Sequence, residues 1–274
     1  MVWVISIPVG KVKAENILKK FPYLLPYDKA SHARELIREY KIRVLAVANS
    51  PNNPKIVGLI KRVNILNISS TKSNLQVNDI MEQPIAIIRE DDEVDVILNA
   101  LLKNNEWYGI VTNSSGEYKG IVGLEDVINY YYKNEPEIFN VEASVLSKKL
   151  EYLYEDDEIS KAWYKMLEHD YAGFPVVKRD LKVVGSLTQH DLISKGYTRI
   201  QLESQTSPRK ILVKEAMNVP PICIKQSDKV TNAVDEMVNK NVGRVFIIDD
   251  DGKIKGIIDR SDIARLIFEK KIKS

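Results

Sequence analysis

Gly173-Phe-Pro-Val-Val-Lys-Arg-Asp-Leu-Lys-Val-Val-Gly-Ser-Leu-Thr-Gln-His-Asp-Leu192 decides the fold. Two β-rich apolar runs, Phe174–Val177 and Val183–Leu187, flank a polar turn, and Thr188-x-x-Asp191 then opens a helical pattern. The second half recurs as Gly58-Leu-Ile-Lys-Arg-Val-Asn64, Gly120-Ile-Val-Gly-Leu-Glu-Asp126 and Gly256-Ile-Ile-Asp-Arg-Ser-Asp262. A period of roughly 60 to 70 residues marks the chain as an internal repeat.

Working outward, the residue 26 places before the glycine is Val94, Ile159 or Val230 in the last three copies, and each opens an apolar stripe. The stripes Val94/Ile97/Leu98/Leu101/Leu102, Ile159/Ala162/Trp163/Met166/Leu167 and Val230/Ala233/Val234/Met237/Val238 have the spacing of one buried helix face. In the first copy Ala30, Ala33, Ile37 and Tyr40 take these places if two extra residues sit in the turn Asn49–Pro54. Acidic or polar residues precede the stripes as helix starts, and short apolar runs (Ile85–Ile88, Leu150–Tyr154, Ile222–Ile224) precede those. Asp249-Asp-Asp-Gly252 is a hairpin turn whose glycine supplies a positive φ. A second helix is expected to start at the motif aspartate.

The expected fold is α/β (α+β), four β-α-β-β-α units over 1–70, 71–136, 137–199 and 200–274. One such unit buries too little surface to be stable alone, so pairing of one with two and three with four is expected. Tyr131–Phe139 reads as the connector between pairs, and Asn67–Gln76 and Thr198–Lys210 as linkers within them.

The 274 residues carry a formal charge of +2 from 40 basic and 38 acidic side chains, with 44% apolar and 28% charged residues. That describes a globular protein without the basic excess that drives nucleic-acid binding. Met1–Pro8 is apolar, too short for a membrane span, and reads as a strand. The single Cys223 reads as a buried, inert strand residue, and no cysteine framework or cysteine-based metal site is possible. A cytoplasmic location is the resulting expectation.

These residues resemble the cystathionine-β-synthase (CBS) domain family, four domains in two tandem pairs called Bateman modules, over roughly residues 10 to 270. The chain is similar to archaeal four-CBS proteins and, more distantly, to the regulatory γ subunit of AMP-activated protein kinase. The resemblance implies a sensor whose clefts hold AMP, ADP, ATP or S-adenosylmethionine. It implies Asp191 as the ribose contact, Thr188 as the phosphate-side contact, and Ala172, Gly173, Phe174 and Pro175 around the adenine. A carboxylate suits a ribose diol, because it accepts two charge-assisted hydrogen bonds. The fourth copy keeps Asp262 but has Asp259 in the threonine place, a negative charge that Arg244 and Ser261 could offset. The second keeps Asp126 with Gly123 for the hydroxyl; the first has Lys61 and Asn64, and no ribose site is expected there.

Structural readings stand beside these. Thr188-x-x-Asp191 is also the spacing of a capping box, and the two roles can coexist. The four glycines mark close backbone approach, Arg244 suits a solvated strand end, and Trp107 and Trp163 suit packing. Of His32, His169 and His190, only His190 lies inside a candidate site. Alternatives to a nucleotide sensor are a scaffold with vestigial clefts that docks an unidentified protein partner, and nucleic-acid binding. Assembly as a homodimer is expected. No catalytic group, required cofactor or metal site is read from the sequence.

Overall fold

The computed structural model describes residues 12–68, 74–148, 151–168, 171–197 and 210–273. The Met1–Pro8 run, Leu150, His169 and most of the second linker lie outside them.

Each apolar stripe forms a helix that begins where its spacing begins. These are α2 (Ala30–Tyr40), α4 (Val94–Lys103), α6 (Ile159–Glu168) and α9 (Val230–Asn239), and Ala33, Ile97, Ala162 and Ala233 on their inner faces have no exposed surface. Three-stranded sheets β3 (Ile87–Arg89)–β4 (Tyr108–Thr112)–β5 (Tyr118–Gly123), β6 (Leu153–Tyr154)–β7 (Gly173–Val177)–β8 (Val183–Thr188) and β9 (Cys223–Lys225)–β10 (Arg244–Ile248)–β11 (Ile254–Asp259) form the last three copies. In each, the first two strands are parallel and the last two antiparallel. The first copy has β1 (Val44–Ala48) and β2 (Ile56–Lys61), and its opening strand is reduced to Leu24, bridged to Val47. Residues 49–55 join β1 to β2 where 113–117 join β4 to β5, so the first turn is longer by the two expected residues. Gly252 adopts φ +78° in the fourth turn.

The motif helices α3 (Arg62–Leu66), α5 (Leu124–Asn134), α7 (Gln189–Ser194) and α10 (Arg260–Lys273) start two residues before the motif position, not at it. The aspartate is therefore the third helical residue, where its carboxylate accepts from the backbone N–H that precedes the helix. Tyr131–Phe139 also departs from expectation. It is the end of α5 plus a 3₁₀ turn, Pro136–Phe139, and Tyr131 and Phe139 are buried because α9 and α10 pack over them. Cys223 is half-buried rather than buried, and burial pushes its thiol up to about 11.

Val44, Ala46 and Leu59 of the first copy pack on Ile110 and Ile121 of the second, so these two are joined through their sheets. The third and fourth meet at a Lys182–Lys253 bridge between their hairpins. Helices join the pairs: α2 and α3 share a core with α6 and α7, and α4 and α5 share one with α9 and α10. The four copies thus close a cycle of contacts, and the starts of the motif helices face its middle.

One further segment repeats. Short turns at α1 (Ala14–Ile17), Val77–Asp79, Ala143–Val145 and α8 (Val213–Ala216) lead into isolated bridges Lys19–Ile121, Glu82–Leu59, Lys148–Ile257 and Asn218–Ser186. Each segment lies on the partner of the copy it precedes: 12–19 covers the second, 74–82 the first, 141–148 the fourth and 211–218 the third. The motif glycines serve this approach. A Cβ on Gly58, Gly120, Gly185 or Gly256 would lie within 3.2 Å of the carbonyl oxygen of Glu82, Lys19, Asn218 or Lys148.

Candidate functional site

At the centre of the cycle lies a cavity of about 600 Å³. The third copy lines it with Ala172, Phe174, Thr188, His190 and Asp191, the first with Arg43 and Arg62, and the fourth with Arg244 and Arg260. The second contributes Tyr108, Glu125 and Asp126. Pro175, Gly173, Ser261 and Asp262 are not on its wall.

In the third copy Thr188 N–H donates to Asp191 Oδ2 at 2.8 Å and the Thr188 hydroxyl donates to the same oxygen at 2.6 Å. Asp191 N–H returns a bond to Thr188 Oγ1 at 3.3 Å, completing the capping box. The other oxygen, Oδ1, accepts from Asn218 Nδ2 at 2.7 Å. The motif is thus a capping box made by the inner oxygen, while the outer oxygen is held by Asn218.

The same division holds in the other copies. Asp126 Oδ2 accepts from Gly123 N–H at 2.9 Å while Lys19 Nζ lies 2.7 Å from Oδ1. Asp262 Oδ2 accepts from Asp259 N–H at 2.9 Å while Lys148 Nζ lies 3.0 Å from both Asp262 oxygens and 2.9 Å from Asp259 Oδ2. In the first copy Asn64 Oδ1 accepts from Lys61 N–H at 2.6 Å, and its outward Nδ2 donates to Glu82 at 2.7 Å. Burial raises the Asp126 carboxyl, Glu125 adds to the effect, and Lys19 opposes it. Burial likewise raises Asp262, with Asp259 adding.

Burial pushes the Asp259 carboxyl up, but the Ser261 hydroxyl, Lys148 and, more weakly, Arg244 hold it below its ordinary value, so both expected groups do offset its charge. Arg244 also donates to the Gly173 carbonyl at 2.7 Å and is half-buried rather than solvated. Lys148, which sequence reasoning missed, pairs directly with Asp259 at 2.9 Å. Two of the other bridging segments share a signal, Val77 and Met81 before Pro84 and Val213 and Met217 before Pro220, but 141–148 has Ala143 and Ser147 in those places.

The cavity wall is electropositive. Arg62 donates to the carbonyls of Ile42 and Lys41, and burial, with the Arg43 charge, lowers it to about 9. Burial and Arg43 lower Arg244 to about 10. Arg260 pairs with Glu125 at 3.0 Å and donates to Asn241 at 3.1 Å. Arg43 lies over Trp107 at 5.4 Å; Trp107 packs against the core and Trp163 is buried in one, as expected of both. Among the described residues, the buried Arg43 Nη1 and His190 Nδ1 have no hydrogen-bond partner. Burial and then Arg62 lower the His190 imidazole. Crowded cations and unmet polar groups around an open space favour an anion there.

Among the described residues no cluster of three or more His, Cys, Asp or Glu could hold a metal, and no helix is long and apolar enough to cross a membrane.

The family model described as CBS domain matches residues 77–133, 141–197 and 213–269. Protein MJ1225 of Methanocaldococcus jannaschii is 22% identical over 271 residues, covering 90% of this chain and 95% of that one. Its crystal structure, described as a candidate archaeal homologue of g-AMPK, superposes with a TM-score of 0.81 at 21% identity, over 93% of this chain and 100% of that one. A conserved protein of Pyrococcus horikoshii superposes at 0.65 with 17% identity, over 93% and 100% of the two chains. Protein MK0525 of Methanopyrus kandleri is 32% identical over 104 residues, 38% of this chain and half of that one.

Proposed function

The chain belongs to the CBS-domain family, and from that premise we propose that it is a non-catalytic regulatory module whose third cleft binds an adenosine nucleotide with its phosphates toward the central cavity. The observation that carries this reading is the meeting, in one cavity, of the Thr188–Asp191 motif with Arg43, Arg62, Arg244 and the unpartnered His190 Nδ1. The ribose diol takes the outer oxygen of Asp191 in place of the Asn218 amide, a neutral exchange of one hydrogen-bond donor for another. The adenine lies toward Ala172. AMP, ADP and ATP fit the cationic wall better than S-adenosylmethionine, whose sulfonium would add a charge to it.

The cavity wall draws on all four copies, so an anion bound there bears on how the two pairs pack, and occupancy is the signal. Calorimetry with AMP, ADP, ATP and S-adenosylmethionine tests the proposal. Binding of the three nucleotides is expected, and failure of all four to bind at high micromolar concentration rejects it. A partner that reads the signal, a homodimeric assembly and a cytoplasmic setting belong to the same proposal.

A further inference from the structure

The four bridging segments place one polar side chain each, Lys19, Glu82, Lys148 and Asn218, against the outward atom of the motif residue in the cleft they cover. The inward atom is already committed to the backbone in every copy. In the third copy the Thr188 N–H and hydroxyl fill the inward oxygen, which leaves the outward one to a ligand, so whatever touches it controls access.

We infer that this single bridging position selects which clefts accept an adenosine ribose: asparagine leaves the third open, and Lys19 and Lys148 close the second and fourth as resident occupants. The inference rests on the reading that a ribose diol is held by the motif carboxylate. An ammonium group offers the carboxylate the same thing that the two hydroxyls of a diol offer, hydrogen-bond donation, and adds full charge. A ribose entering the fourth cleft must displace a lysine that neutralises two carboxylates at once. Removing it would leave Asp259 and Asp262 facing each other with only the half-exposed Arg265, 3.6 Å from Asp262, and the Ser261 donors to Asp259 against their mutual repulsion. Burial works against the charge on Lys148, but the two aspartates outweigh it and hold its amine above the ordinary value. In the third cleft the corresponding step moves only an uncharged amide.

The first cleft confirms that the position answers the motif residue rather than merely filling space. There the outward atom is the Asn64 amide, a donor, and the bridging residue is Glu82, an acceptor, itself paired with Lys61 at 3.4 Å. Polarity is inverted on both sides together. That cleft presents no motif carboxylate, and by this rule takes no ribose.

The test counts binding equivalents in the full chain by equilibrium dialysis, with AMP and adenosine as probes and 2′,3′-dideoxyadenosine as the control lacking the diol. Adenosine is the probe for the fourth cleft because Asp259 would repel a phosphate there. The wild type is expected to take one equivalent of AMP, and Asn218→Lys to lose it by tenfold or more in affinity. Lys148→Asn is expected to gain one equivalent of adenosine that dideoxyadenosine does not match; Lys148→Gln, which keeps the chain length, guards against misfolding and should gain the same equivalent. If the wild type binds one equivalent and both folded Lys148 variants still bind one, this inference falls while the reading of the third cleft stands. If the wild type binds nothing but a Lys148 variant binds adenosine, the reading of the third cleft falls and the selecting role of Lys148 holds. If no chain binds any probe, both fall.

Discussion

Asn218 Nδ2 donates to Asp191 Oδ1 at 2.7 Å across 27 residues of sequence, joining a motif helix to the segment that precedes the next copy. Asp191 is therefore engaged on both oxygens without a ligand, and its functional and capping duties can be separated by measurement.

Asp191→Ala should remove both. The lost cap costs about 1 kcal/mol of stability, read from urea unfolding. AMP affinity should fall about tenfold or more, from the worth of charge-assisted hydrogen bonds to the diol. A variant that is less stable by a cap's worth yet binds AMP as tightly as the wild type would show the carboxylate to be structural only.

Arg43 has a buried Nη1 without a partner, and its guanidinium lies against Gly243 and over Trp107. Arg43→Met keeps the apolar contact and deletes the charge. Affinity for ATP should drop about tenfold, the scale of one charge-assisted bond, while affinity for adenosine stays unchanged. Equal losses for both ligands in calorimetry would contradict a phosphate in the cavity.

His190 is held below its ordinary value of 6.5 by burial and by Arg62, with Lys41 and Arg43 adding and Asp191 opposing. For a histidine lowered in the folded state, the unfolded chain takes up the proton first, so stability is intact above about 6.5 and declines as the pH falls below it. A phosphate in the cavity reverses the local charge and raises the imidazole again. AMP binding near neutral pH should then take up protons, seen as a dependence of the calorimetric heat on buffer ionisation enthalpy, and His190→Gln should abolish that dependence.

Gly120→Ala places a methyl 2.6 Å from the Lys19 carbonyl oxygen, a backbone atom that cannot step aside. A cost of about 1 to 3 kcal/mol is expected, in the range of overpacked sites, and thermal melting checks it. Gly116→Ala is the useful contrast: φ +78° strains it but nothing lies within 4 Å, so its effect should stay near 1 kcal/mol and leave ligand binding untouched.

The helices were readable because each buries one face: Val94, Ile159 and Val230 begin both the apolar spacing and the helix itself. The Thr188–Asp191 capping box was readable because capping is local chemistry within one turn. Arg43 and Arg62 carry no local signature of a site; they reach His190 only because α2 and α3 pack on α7, a contact made by shape rather than by pattern. Lys148 was harder still. Its segment is too short and irregular for periodicity to register, and it answers an aspartate 114 residues away. Arg244 sits at a strand end, where solvent is the default expectation, and was turned inward by the Gly173 carbonyl.

The crossed placement of the four bridging segments has a genetic consequence. A stretch such as 141–197, copied alone into another chain, would carry a cover made for a neighbour it no longer has and would leave its own crevice uncovered. Duplication, transfer or loss can therefore proceed without damage only two copies at a time, which makes the couple, and not the single repeat, the heritable piece of this architecture.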